Sequence, residues 1–297
     1  MNEVSSGPMS TPGIVDRTLA ALELEETGDD RFVAHPGGGR HRLFGGLVAA
    51  QTVVAAGRTI DAKRNLHSLH AYFLRIGKPG VPIDLEVTRL RDGGSYSVRQ
   101  ITARQNGEAI LEATASFARD EEGLEVQTTE MPEVPGPEGL PDREQERSRI
   151  YRERLGVDMR AYDSAVEVRP CDPTVLEPDG GRLPSQENWL RLKSGIGDSQ
   201  LLHRAMLAYA GDRTLLSTAR MPYEVGRHQL MSVSLDYTLW IHRDVDLCDW
   251  HLCQCHSPVS NSGRGMLLAQ LYRADGVCVA TIAQEGLVRV RRKPVSQ

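Results

Sequence analysis

Aromatic residues are scarce, at only 5% of 297. A core short of large rings has to be filled by alanine, valine and leucine, whose small side chains let backbones approach closely. No run approaches the ~20 apolar residues of a membrane-spanning helix, and the amino-terminal MNEVSSGPMSTPG has neither a basic start nor an apolar stretch. A soluble, unexported protein is the expectation. Positive charge is not in excess either. Lys and Arg number 35 against 40 Asp and Glu, a net −5, which disfavours a protein that grips nucleic acid by neutralising phosphates. Cysteines are few and odd in number (Cys171, Cys248, Cys253, Cys255, Cys278), unlike the even, dense frameworks of small secreted domains, so reduced thiols in a cytosol are expected. The strings G-x-S-x-G, H-E-x-x-H and G-x-x-x-x-G-K-[ST] are absent, and serine-hydrolase, zinc-protease and P-loop readings lose support with them.

What is present folds: 40% of the residues are hydrophobic and 25% charged, and the length suits two ordinary domains. FGGLVAAQTVVAAGRTI (44–60) is small or apolar almost all round and predicts a helix buried on most of its surface. Strand-like runs follow, LHSLHAYFLR, PIDLEVTRL, SYSVRQITARQ and AILEATASF, separated by KPG, RDGG and NG. From about 120 to 186 the chain turns acidic and proline-rich, which predicts a long connection with little core of its own, carrying a helix near 142–155 and an added strand at 165–169. The pattern then returns, with a helix over 200–212 and the strands MSVSLDYTLWI, WHLCQCHS, GMLLAQLYRA and VCVATIAQEGLVRV. AAGRT (55–59) aligns with AGDRT (210–214), and SLHAYFL (68–74) with SLDYTLW (234–240), so one α+β unit occurs twice. A central helix wrapped by an antiparallel sheet is the hotdog arrangement. The expected architecture is therefore a tandem (double) hotdog of class α+β: one unit over 17–120, the connection over 121–186 and a second unit over 187–293.

Asp212 is the sharpest local anomaly. Leu201, Ala205, Ala208 and Asp212 share one helical face, so a carboxylate ends an apolar stripe at the helix carboxyl end, where the macrodipole also disfavours it. Such a residue requires a structural partner, such as Arg213, or a catalytic task. On the strand SVSLDYTLW, alternation places Ser234, Asp236 and Thr238 on one face; Gln284 ends an apolar face of VCVATIAQEG. In the first unit Asp212 is matched by Gly57 and Gln284 by roughly Phe117, so the polar set belongs to one half, and the other serves as scaffold or binding wall.

Other candidates carry blander readings. HPGGGRHRLFGG (35–46) reads as a lead-in to the packed helix rather than a phosphate cradle. His251, Cys253 and Cys255 share a strand face opposite His256, without the paired spacing of zinc sites, and read as buried thiols with no metal. His67 and His70 read as packing or pairing residues, and Arg289, Arg291, Arg292 and Lys293 as a solvated tail.

FGGLVAAQ, LHSLHAYFLRIGKP, LRDGGSYSVRQITARQNG, ATASF, SLDYTLWIHR, SGRG, ADGVCVA and QEG, colinear from about Leu19 to Arg289, resemble the acyl-CoA thioesterase II family of TesB-type double-hotdog enzymes. The resemblance implies hydrolysis of fatty acyl-CoA to fatty acid and CoA without a cofactor, in a homodimer or homotetramer. The family's catalytic aspartate, hydroxyl residue and glutamine fall on Asp212, Ser234 and Gln284, with serine standing where threonine is usual. Leu47 replaces a usual glutamine, Ile76 a usual proline, and HSPVSNSGRG a run of small hydroxyl residues; these departures bear on chain-length preference and rate. The expected chemistry is direct attack by a water held by the trio, with backbone N–H groups at a helix amino terminus receiving the oxyanion; covalent attack by Asp212 is the other route. Two further readings stand beside it: a hydratase or dehydratase depending on a histidine such as His70, and a silent acyl-CoA binding protein. The terminal PVSQ lacks the S-K-L address, which points to the cytoplasm.

Overall fold

The computed structural model describes residues 13–38, 42–156, 163–177, 181–224 and 229–291. Helix α1 (Ile14–Ala20) leads into a hairpin of β1 (Leu24–Gly28) and β2 (Arg31–Ala34). Helix α2 (Gly45–Gly57) and the meander β3 (Arg64–Phe73), β4 (Ile83–Asp92), β5 (Tyr96–Gln105) and β6 (Glu108–Arg119) complete the first unit. The connection carries α3 (Arg143–Leu155), and the second sheet begins inside the expected 121–186 connection, with β7 (Val166–Pro170) paired to β8 (Ser185–Leu192); α4 (Gln200–Gly211) and the short α5 (Leu215–Thr218) follow. Strands β9 (Leu230–Ser234), β10 (Asp236–Ile241), β11 (His251–His256), β12 (Ser260–Asn261), β13 (Arg264–Arg273) and β14 (Cys278–Val290) close the fold. The hairpin β1–β2, helix α1 and strand β8 were not expected from the sequence.

The sheet order β1-β2-β4-β5-β6-β3-β10-β14-β13-β11-β8-β7 reads the same from either end once β7, β8, β11, β13, β14 and β10 are matched to β1, β2, β4, β5, β6 and β3. This is the expected double hotdog, its two sheets fused along the antiparallel β3–β10 seam, where Ser68 faces Trp240 and Tyr72 faces Asp236. The repeated SL strings therefore lie side by side at the seam.

The two central helices pack antiparallel. A Cβ at Gly46 would lie 2.8 Å from the Tyr209 carbonyl oxygen, and one at Gly57 would enter the Leu201 side chain. Glycine at these two positions is what permits the close approach, as the small-residue core predicted. Ten residues of α2 and nine of α4 are buried, so neither helix keeps a polar face.

Two expectations need correction. The 121–186 span has more core than expected: Ile150 of α3 packs with Val175, Leu176 and Met221, and Met131, Val134 and Leu140 pack on Trp189, Leu252 and Tyr272 of the second sheet. Trp189 also donates its indole N–H to the Pro135 carbonyl at 2.8 Å. This stretch is held down on the outer face of the second sheet, because a sheet covered by a helix on one side still has apolar side chains to bury on the other.

The second correction concerns 231–241, which is not one regular strand. Ser234 lies opposite Gly286 of β14, but Thr238 lies opposite Ala283, so β9–β10 has one residue more than its partner across this interval. A bulge of this kind reverses the alternation. Ser234 turns inward along with Tyr237 and Leu239, both fully buried, and no longer shares a face with Asp236. The Asp236 carboxylate accepts the Glu285 backbone N–H at 2.6 Å, which satisfies the donor at the bulge.

Candidate active site

The antiparallel packing brings the carboxyl end of α4 to the amino end of α2. Asp212 caps α4 and is 8% exposed. Its Oδ2 accepts the Gly46 N–H at 3.0 Å; its Oδ1 accepts the Ser234 hydroxyl at 3.0 Å and the Gln284 amide N–H at 2.6 Å. Gly46 stands at the second helical position, where the backbone donor has no intrahelical acceptor and the dipole is positive. The penalty expected from Asp212's own helix is thus offset by the other helix, and the structural partner the anomaly called for is a backbone amide from the first unit.

Burial pushes the Asp212 carboxyl above its ordinary range, while the hydrogen bonds from Gln284, Ser234 and Gly46 and the nearby Arg213 charge pull against it. A carboxylate with a raised proton affinity, held by three donors, has the character of a base rather than of an inert counter-ion. Arg213 is itself placed by Glu144 at 3.4 Å and lies over the Phe44 ring, 5.8 Å from its centroid.

Asp212 and Ser234 face a cavity of about 550 Å³ between the units. Its apolar wall includes Phe44, Val48, Phe73, Ile110 and Leu235, with Ile76 also in the lining. Gln284 is fully buried behind Asp212 and reaches the cavity only through it. No side chain fits at Gly45, where a Cβ would lie 2.7 Å from the Phe73 ring and 3.2 Å from Asp212 Oδ2. The paired glycines of F-G-G therefore each admit a neighbour: Gly46 the backbone of the other helix, and Gly45 the Phe73 ring beside the carboxylate.

The equivalent place at the other end of the helix pair is apolar, since Gly57 abuts Leu201, and Phe117, matched to Gln284, is buried. The first unit nevertheless contributes the Gly46 amide and much of the cavity wall. His67 bonds Ser116 at 2.8 Å and His70 packs edge-on against Trp240; neither lines the cavity. Cys253 and Cys255 are buried against Thr214 and Thr218, and the His251 ring accompanies the Asp249 carbonyl. A second group, His203, Asp246 and Cys248, has metal-ligand residue types. His203 spends both ring nitrogens there, on the Leu247 N–H and the Gly197 carbonyl. Residues 39–41 of the glycine-rich lead-in, and Arg292 and Lys293 of the basic tail, lie outside the described residues.

Apart from Arg213, named as a possible partner of Asp212, sequence reasoning missed the cavity's arginines. Arg42, Arg75, Arg143, Arg147, Arg213 and Arg220 all line it, in a chain of net charge −5. Their only signal was the arginine density of REQERSRIYRERL, where Arg143, Arg147 and Ile150 fall on one helical face.

Fold and site together define a double-hotdog protein with one carboxylate–hydroxyl–amide centre at the meeting of its two helices. Comparison with known proteins agrees. The family model of the acyl-CoA thioesterase N-terminal domain matches residues 34–118, and that of the C-terminal domain matches residues 129–288. Acyl-coenzyme A thioesterase 8 of Homo sapiens is 34% identical over 289 residues, covering 91% of this chain and 88% of the relative. Acyl-CoA thioesterase 2 of Haemophilus influenzae is 34% identical over 284 residues, covering 93% and 98%. The crystal structure of an acyl-CoA thioesterase II from Mycobacterium marinum superposes with a TM-score of 0.77 at 33% identity, covering 93% of this chain and 98% of that one. The chain belongs to the acyl-CoA thioesterase family.

Proposed function

We propose that this protein hydrolyses fatty acyl-CoA thioesters to fatty acid and CoA, with Asp212, Ser234 and Gln284 as the catalytic centre and no cofactor. The observation that carries the assignment is Asp212, buried at the cavity wall with three donors on its two oxygens. Those donors fill three of the roughly four acceptor positions of a carboxylate, and the cavity that Asp212 lines gives a water molecule access to the fourth. Ser234, with a hydroxyl that both donates and accepts, orients the same water; Gln284 holds the carboxylate.

Water attacks the thioester carbon as Asp212 takes its proton. The amide of Gly45, at the first position of α2, supports the oxyanion of the tetrahedral intermediate, aided by the helix dipole. Collapse breaks the C–S bond, and the proton held by Asp212 passes to the departing sulfur. The charge balance closes without a covalent enzyme intermediate. The apolar wall of Phe44, Val48, Phe73 and Ile110 suits an acyl chain, and exposed Ile76 at the rim bears on the length accepted.

The hydratase alternative would need a histidine at the cavity; His67 and His70 stand elsewhere. Among the described residues no helix is long and apolar enough to cross a membrane, and the reading includes a cytoplasmic homodimer or homotetramer, for which the exposed Tyr72 and Trp240 along the seam offer an apolar surface. Free-thiol release from a ladder of saturated acyl-CoA substrates, beside Asp212→Ala, tests the assignment. Release by the parent and a fall of about 100-fold or more in the variant are expected; undiminished turnover in the variant would refute the role of Asp212, and a folded parent that binds acyl-CoA without release would favour the silent binding protein.

A further inference from the structure

Behind Asp212 two polar atoms are buried without partners. Tyr237 of β10 is fully buried and its hydroxyl bonds nothing; Gln284, also fully buried, gives its amide N–H to Asp212 at 2.6 Å but leaves Oε1 unserved. The two residues are neighbours. Thr238 lies opposite Ala283 in the β10–β14 ladder, so Tyr237 and Gln284, the next residue on each strand, stand side by side facing inward. A hydroxyl that can donate and a carbonyl oxygen that can only accept each destabilise a dry interior when left unpaired, and each supplies what the other lacks.

The hydroxyl also has a place made for it. A Cβ on Gly211, the last residue of α4, would fall on the Tyr237 hydroxyl. Gly211 is helical, so its backbone does not call for glycine; the close approach of the phenol does. The first unit shows the alternative. The aligned strings put Ala56 where Gly211 stands and Ala71 where Tyr237 stands, and Phe117, matched to Gln284, is buried. Ala71 faces Tyr237 across the β3–β10 seam. The phenol, the glycine that admits it and the amide beside it thus occur in the unit that carries the carboxylate, and the other unit fills the same positions with carbon.

We infer that Tyr237 is a positioning residue of the catalytic centre: its hydroxyl donates to Gln284 Oε1, directly or through one buried water, and the polarised amide in turn holds Asp212 ionised and ready to take the proton of the attacking water. The inference rests on the thioesterase reading above. Donation to the carbonyl end of an amide strengthens the N–H at its other end, because hydrogen bonds in series polarise one another. Burial raises the proton affinity of Asp212, and the hydrogen bond from Gln284 is the strongest of the contacts opposing it, so whatever strengthens that bond favours the base form. Tyr237 is not part of the cavity lining, and its contribution falls on the chemical step and not on substrate binding. The charged and titratable groups around Asp212 are Arg213 beside it, Glu144 and Arg143 of α3 in contact with Arg213, and Tyr237, with Cys253 of β11 beyond. Burial pushes the Tyr237 hydroxyl and the Cys253 thiol up, so both stay neutral at working pH.

The test is a double-mutant cycle in the full chain of Tyr237→Phe and Gln284→Met, which keep the shapes and remove the hydroxyl and the amide. Hydrolysis of dodecanoyl-CoA is followed across pH, and each protein is unfolded in urea. Tyr237→Phe is expected to lower kcat about tenfold, as for loss of one hydrogen bond tied to an ionised group, with KM within about twofold of the parent. The acid limb of its kcat profile should move to higher pH, since a more weakly held carboxylate protonates sooner as pH falls. In the Gln284→Met background the same substitution should change neither kcat nor the limb, and the drop in urea midpoint that it causes in the parent should vanish there. An unchanged kcat and limb in Tyr237→Phe, or equal losses in both backgrounds, would overturn the inference; equal losses are what a phenol that only fills space would give. Failure of the acyl-CoA reading looks different. A parent without turnover overturns that reading, while the unfolding cycle still reports the link between Tyr237 and Gln284, and a midpoint shift equal in both backgrounds would overturn the link as well.

Discussion

Asp212→Asn should separate stability from activity. The substitution removes the base and the negative charge while keeping the shape. The Asn carbonyl can accept the Gly46 N–H, as Oδ2 does now at 3.0 Å. Its NH2 then faces the Ser234 hydroxyl, which accepts as well as donates, and Gln284, whose Oε1 is buried without a partner; half a turn of that amide presents oxygen in place of nitrogen. No hydrogen bond is lost in number. Catalysis should fall by ~10²–10⁴-fold, the usual worth of a positioned base, or about 3–5 kcal/mol on the barrier.

For stability the sign follows from Asp212's raised proton affinity, caused chiefly by burial. A carboxyl that holds its proton more tightly folded than unfolded makes ionisation costly to the native state. Each tenfold change in its acid dissociation constant is worth about 1.4 kcal/mol. At neutral pH the asparagine variant should therefore be at least as stable as the parent. The difference should shrink as pH falls through the folded-state value of Asp212 and vanish below the unfolded value, near ~3.9. Urea unfolding of both proteins between pH 4 and pH 8, alongside thiol release, measures both quantities. A variant less stable than the parent at neutral pH by several kcal/mol, or one with turnover within tenfold of it, would refute the reasoning.

Three other outcomes follow from the same geometry. Gly46→Ala puts a Cβ 2.8 Å from the Tyr209 carbonyl and 2.7 Å from the Phe44 ring, and should cost ~1–3 kcal/mol in denaturant unfolding, as overpacking does. Ser234→Ala removes a hydrogen bond to an ionised group and should lower kcat by about 10–100-fold; Ser234→Thr, which keeps the hydroxyl, should restore most of it in the same thiol assay. Asp236→Ala strips the acceptor from the Glu285 N–H at the bulge; a loss of ~1–3 kcal/mol in unfolding is expected, with a fall in kcat as Ser234 loses its aim, and an unchanged kcat would show that Ser234 is held by other contacts.

The sequence by itself determined the repeat, the two buried helices and the position of Asp212. These are local periodicities: a stripe of small residues at helical spacing stays legible whatever packs against it, and a carboxylate at the end of such a stripe stands out. Ser234 and Gln284 were marked by resemblance and by their place on strand faces, but SVSLDYTLW alternates regularly, and nothing in it announces the extra residue that turns Ser234 inward. That bulge exists only as a mismatch between two strands some fifty residues apart. The Gly46 amide lies 166 residues from the carboxylate it serves, and its role arises from the antiparallel approach of two helices from different units. The arginine wall was hidden for the same reason. Charge on REQERSRIYRERL reads as a solvated face until the tertiary structure lays Arg143 and Arg147 beside Arg213 and Arg220. The potential of a site is the sum over charges that the fold, and not the chain order, brings together.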